Sequence, residues 1–300
     1  VTDHGAAGPA APPAARWELL RALGAVADDP AGARAACDAI GLPSPGHAEH
    51  TEVFVLNCPP YASVYLGAEG GLGGDATDRV AGFWRAIGVA PPAESDHLTA
   101  LLSLYASLGE AAQDSRAAAT ADVLTRARRA LFWEHLWPWL PGYLNAVADL
   151  QAPGLARWAG QASLAIRAER GTHPGGWLPL ALRAAPRPVT AADGLGDLLC
   201  ALTTPVRSGF ILTRRRLAAG ADTTGVGHRI GERRFALRAM LEQAPAGTLL
   251  WLAGEAARWS RRHALASPGD PVSAWWARRA DRTARTMAAL SAEATAGGRD

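Results

Sequence analysis

Apolar residues recur along this chain at the helical period and nowhere alternate convincingly as strands do. Trp17, Leu20 and Leu23 share one face of a predicted helix over 16–26. Asp29-Pro30 then supplies an N-cap and a proline at the first helical position, starting a helix through Ile40. The apolar stretch 51–66 is interrupted by Pro59-Pro60, which predicts two short helices meeting at a kink, with Tyr61 and Tyr65 on one face of the second. A helix over 75–88, capped by Asp75 and closed by Gly88, carries Val80, Phe83, Trp84 and Ile87 as a stripe.

The joint at Pro91-Pro92 leads into AESDHLTALLSLYASLGE (93–110), around which the rest of the chain is organised. Leu98, Leu101, Leu102, Tyr105 and Leu108 repeat at helical spacing, and Ser95 or Asp96 is the predicted N-cap. Glu94, Asp96 and His97 thus gather at a turn between two apolar bodies.

Further helices are predicted over 117–137, ending in the tryptophan-dense FWEHLWPWLPGYL, and over 155–170, through Leu155, Trp158, Ala162 and Ile166. A Pro/Gly-rich connector, 171–188, follows. Beyond it helices are predicted near 190–202, 206–219, 231–243, 246–264 and 271–291, the second and third carrying RRR (214–216) and RIGERR (229–234). The expected fold is all-α and bundle-like.

Composition narrows the function. An apolar fraction of 49% supports a packed core, and no apolar run reaches bilayer-spanning length. The first fourteen residues lack the basic start and apolar centre of a signal peptide, so they read as a disordered lead and the protein as cytoplasmic. Cys37, Cys58 and Cys200 are scattered, with no C-x-x-C pair, and read as buried thiols rather than metal ligands or disulfides. The glycine-rich GAEGGLGG (67–74) lacks the context of a phosphate loop and reads as a connector, so it gives no support for nucleotide binding.

Every basic residue is arginine, and the charges are unevenly placed. Residues 1–150 hold 9 Arg against 17 acids, a net of −8, and residues 151–300 hold 21 Arg against 11 acids, a net of +10. Either the halves favour ligands of opposite sign or they face each other.

The order YASVYLG, a helix ending FWRAIGV, ESDHL opening a helix, then FWEHLWPWLPGYL resembles the TorD/DmsD/NarJ family of molybdoenzyme-maturation chaperones, the nitrate reductase delta subunit-like proteins. Asp96, His97 and Leu98 stand as in that family's hinge pattern, Ser95 stands near its usual proline, and His135-Leu136 and Trp139 fit its later element. The resemblance covers about residues 15–205. It implies a TorD-like helical domain over 15–205 with a hinge near 89–97, followed by an Arg-rich helical extension over 206–300.

The resemblance further implies a non-enzymatic chaperone. It would bind the twin-arginine signal peptide of a molybdoenzyme catalytic subunit and assist cofactor insertion before export, needing no cofactor of its own. Asp96 and Glu94 would supply charge for the leader arginines. Tyr61, Tyr65 and Trp84 would wall an apolar groove, and His97 would bond the peptide backbone or the aspartate. Asp96→Ala with His97→Ala is then expected to abolish leader binding and spare the melting temperature.

Plainer readings stand beside these. Asp96 can simply cap its helix, His97 can serve Asp96, and Trp84, Trp133, Trp137 and Trp139 can all be core. No G-x-S-x-G or H-E-x-x-H accompanies the Asp-His pair, so no enzyme is expected. A nucleic-acid-binding regulator using the basic C-terminal half is the alternative from another class, without a helix-turn-helix to support it. Monomer and homodimer both stay open.

Overall fold

The computed structural model describes residues 13–173, 175–192, 194–227 and 231–297. Residues 1–12 of the lead expected over 1–14, and Arg229-Ile230 of the RIGERR run, lie outside the described residues, while Pro13 and Ala14 already belong to the first helix. Helices α1 (Pro13–Ala25), α2 (Pro30–Ile40) and α3 (His47–His50) open the chain, and α3 continues into a π-helical turn, Thr51–Asn57. Then come α4 (Ala62–Leu66), α5 (Asp75–Ala86), α6 (Leu98–Asp114) and α7 (Ala118–Ala130), the last entering a second π-helical turn, Leu131–Leu136. Helices α8 (Leu140–Ala148), α9 (Pro153–Gly171), α10 (Leu180–Arg183), α11 (Leu195–Thr203) and α12 (Pro205–Ser208) lead to the last four. These are α13 (Arg214–Thr224), α14 (Arg233–Gln243), α15 (Pro245–Ala266) and α16 (Pro271–Gly297). Among the described residues no strand forms, and a lone bridge joins Tyr61 to His97. The fold is all-α, as the periodicity requires.

Local signals account for much of this. The Asp29 side chain accepts from the amides of Ala31 and Gly32 while Pro30 occupies the first turn, so α2 starts where the sequence placed it. Both π-helical turns run into proline. Cys58 N donates to Val53 O at 2.7 Å before Pro59, and Trp137 N to Phe132 O at 2.8 Å before Pro138. Proline has no N–H to continue the ladder, and a widened turn satisfies the last carbonyls before it.

Trp17, Leu20 and Leu23 face inward from α1 onto α6 and α9. Indole N–H groups tie the layers: Trp17 donates to Gln113 at 3.1 Å and Trp158 to Leu23 O at 2.9 Å. One apolar core runs from Trp17 to Met287, crossing residue 205. Trp276 Nε1 donates to Pro138 O at 2.7 Å, and Arg258 and Arg262 both reach Asp149 at 2.9 Å. The acidic and basic halves thus meet at specific pairs.

Three expectations differ. Asp75 does not cap α5: Gly74 holds the N-cap position, with no side-chain bond. The helix expected over 206–219 is split into α12 and α13. Gly209 adopts φ +83, and a Cβ there would overlap the backbone of Arg279 and Ala280. Glycine at that spot lets α16 pass directly over the chain, and the buried segment Phe210–Leu212 is non-helical before Thr213 caps α13. Tyr61 lies outside the helix that holds Tyr65. It is the extended residue before α4, because Pro59-Pro60 and the bridge to His97 hold it there.

Candidate functional site

The segment expected as a hinge is built by two chain segments that cap each other. Asp96 does not cap its own helix. Its carboxylate accepts from Ser63 N at 2.9 Å and its carbonyl from Ala62 N at 3.0 Å, so it caps α4 from across the fold. Leu98 N donates to Pro60 O at 2.8 Å, completing the exchange. His97 takes the N-cap position of α6, its Nδ1 accepting from Thr99 N at 3.3 Å. An accepting Nδ1 requires the neutral ring, and burial indeed lowers the His97 pKa below its ordinary value.

Of the six residues expected to bind peptide, four are buried. Asp96 and His97 are held as above. Trp84 donates Nε1 to Ser95 O at 3.2 Å, and Tyr65 stacks on Trp139 at 5.3 Å while its hydroxyl donates to Pro59 O at 2.9 Å. The other two face outward. Glu94 is exposed and Tyr61 half-buried, its ring packed edge-on to His97 at 4.7 Å. The Tyr61 phenol is pushed up to about 12, first by burial and then by the neighbouring Glu94 carboxylate, with Asp96 and Asp28 adding to the effect.

Asp28, which the sequence reading missed, therefore belongs to the same mouth. It is exposed and close enough to act electrostatically on both Tyr61 and His97. Its only signal was position, next to the capping Asp29. Among the described residues neither Asp28 nor Glu94 pairs with an arginine. Other acids of the chain do: Glu110 with Arg21, Glu169 with Arg16, Asp149 with Arg258.

Beside this mouth lies a groove of about 430 Å³. Ala62, the residue after Tyr61, lines it with Leu66, Val80 and Phe83, and on the far side stand His135 and Leu180. His135 packs on Phe83 at 5.1 Å and is pushed down to about 4 by burial and by Arg79, so it is neutral at physiological pH. Glu134 is occupied within the chain, accepting from Trp177 Nε1 at 3.2 Å and from Leu180 N at 2.6 Å. Arg79 and Arg183 are its basic lining residues. The groove is apolar with a basic edge, and the mouth is acidic.

A second polar cluster joins α1, α6, α7 and α9. Buried Glu169 receives Arg16 and the Tyr105 hydroxyl, with Arg128 at 3.6 Å, and Tyr105 also meets His173 Nε2 at 2.7 Å. Its sequence signal was present, since Glu169 continues the stripe Leu155, Trp158, Ala162, Ile166. Cys37 and Cys58 are buried and Cys200 half-buried, all as free thiols. Among the described residues there is no His/Cys/Asp/Glu grouping that could hold a metal, and no helix long and apolar enough to cross a membrane.

The described residues thus form an all-helical body in which an acidic mouth lies beside an apolar groove. Residues 44–145 match the family model described as the nitrate reductase delta subunit, a family of molybdoenzyme-maturation chaperones. The match runs from just before α3 into α8 and includes both sides of the hinge, so it bears out the resemblance over that segment. No curated protein matches the chain.

Proposed function

We propose that the protein is a chaperone that holds the twin-arginine leader of a molybdoenzyme catalytic subunit at this hinge while the cofactor is inserted, before export from the cytoplasm. The observation that carries the reading is the exposed carboxylate pair Asp28 and Glu94, left without arginine partners beside Tyr61. Guanidinium groups of a leader would bond these carboxylates with charge assistance. The leader's apolar stretch would enter the adjoining groove, whose Arg79 and Arg183 repel the two arginines and so fix which end goes where.

The six residues first assigned then divide by role. Glu94 and Tyr61 touch the peptide. Asp96, His97, Trp84 and Tyr65 position them by locking α4, α5 and α6 together. The arginines that suggested nucleic acid are partly consumed within the chain, Arg170 by Asp270, Arg216 by Glu255 and Arg262 by Asp149.

Calorimetric titration of the full chain with a synthetic leader tests the proposal. The twin-arginine peptide should bind, and replacing its two arginines with glutamine should weaken binding at least tenfold. Equal affinity for both peptides would reject the reading.

A further inference from the structure

A cleft of about 290 Å³ opens between the first π-helical turn, α13 and α14. Arg214, Arg215 and Arg233 line it, with Glu52 as the single carboxylate. The Glu52 carboxylate is held by Asn57 Nδ2 at 2.8 Å, and Asn57 Oδ1 in turn accepts from Arg215 N at 3.0 Å, so the acidic wall is fixed to the start of α13.

The guanidinium groups are largely uncommitted. Arg214 has no partner among the described residues, Arg215 has one long bond to Gln151 at 3.4 Å, and Arg233 donates once, to Leu212 O at 3.1 Å. Their crowding is unfavourable as it stands. The Arg233 pKa is lowered, chiefly by burial, and Arg214 and Arg234 depress it further. α14, whose first turn lines the cleft through Arg233 and Ala236, begins without a side-chain cap from Glu232, so its N-terminal end adds partial positive charge there.

We propose that this cleft binds a phosphate dianion, either free or carried on a small organic molecule. Three arginines against one glutamate leave two positive charges, which a phosphate monoester above its second ionisation would match. Guanidinium forks and helix N-terminal amides are the donors that phosphate oxygens prefer. The volume leaves room for a body about the size of a sugar, and Leu56 and Leu217 offer it an apolar wall. The cleft's arginines lie outside the segment that matches the chaperone family, and the proposal does not depend on leader binding.

Titration of the full chain with inorganic phosphate and with ribose 5-phosphate, against chloride at equal ionic strength, tests it. Saturable binding of at least one phosphate is expected, weakened at least tenfold by Arg214→Gln and by Arg215→Gln. Both side chains are exposed, so these variants keep the fold, and an unchanged unliganded Tm checks this. Affinity for ribose 5-phosphate should rise between pH 5 and pH 7.5 as its monoester loses the second proton, near pH 6. Tighter binding of the sugar phosphate would identify an organic ligand, and equal binding the free ion. No saturable binding above the chloride control, or binding indifferent to both substitutions, would overturn the proposal.

Discussion

The Asp96 carboxylate accepts the Ser63 amide at 2.9 Å across 33 residues of chain, so the acid of the hinge caps a helix that is not its own. That relationship changes what its removal does. The sequence reading expected Asp96→Ala with His97→Ala to spare the melting temperature, but both residues are buried. Loss of a buried, charge-assisted cap bond costs about 1–3 kcal/mol. Asp96→Ala alone should therefore lower the Tm by several degrees in a calorimetric scan. An unchanged Tm would show that the bond contributes nothing to folding.

Glu94 and Asp28 should behave in the opposite way. Both are exposed, so Glu94→Gln with Asp28→Asn should leave stability within about 0.5 kcal/mol of the parent. Leader affinity should fall about tenfold, a loss near 1.4 kcal/mol. Unfolding and titration of the same sample separate the two effects. If the double variant binds the leader as tightly as the parent, the mouth is elsewhere.

The contrast between these residues shows how far the chain can be read without coordinates. Periodicity revealed the faces of α1, α5, α6 and α9, because burial of a stripe is a local property of a helix. Caps within one segment, such as Asp29 on α2, were equally legible. Asp96 was not, because the amides it satisfies belong to a helix 33 positions earlier. Asp28 entered the site through tertiary packing alone. Gly209 looked like an ordinary interior residue of a helix until α16 was seen to cross it.

Acid should destabilise the protein through buried histidines. His173 is pushed down to about 3 and His263 to about 4, from an ordinary 6.5, mainly by burial. The unfolded chain therefore takes up protons first as the pH falls. Stability is intact above about pH 6.5 and declines towards pH 4, by roughly 2 kcal/mol per histidine at pH 5. His135 shifts in the same direction. Tm measured from pH 7.5 to pH 4.5 should drop, and less steeply in His263→Gln once its own lower starting Tm is taken as reference. A flat profile would contradict the burial of these rings.

Glu169 is the residue whose loss the N-terminal helices should tolerate least. Its carboxylate is 3% exposed and is approached by Arg16, Arg128 and Tyr105 from three different helices. Glu169→Gln keeps the volume but leaves two guanidinium groups facing a neutral amide, and breaking a buried pair in this way costs about 3–5 kcal/mol. Arg16 is partly exposed, so the lower end of that range applies. The substitution should lower the denaturant midpoint strongly. Glu169→Leu removes the charge by putting an apolar side chain in line with Ile166, and it should be no better, since Arg16 and Arg128 stay behind. Arg16→Met added to Glu169→Leu removes one of those stranded charges and should recover part of the loss. Recovery in the double variant, measured as a coupling energy between the two sites, would identify the pair as the source of the cost. Simple additivity would place that cost in packing around α9 instead.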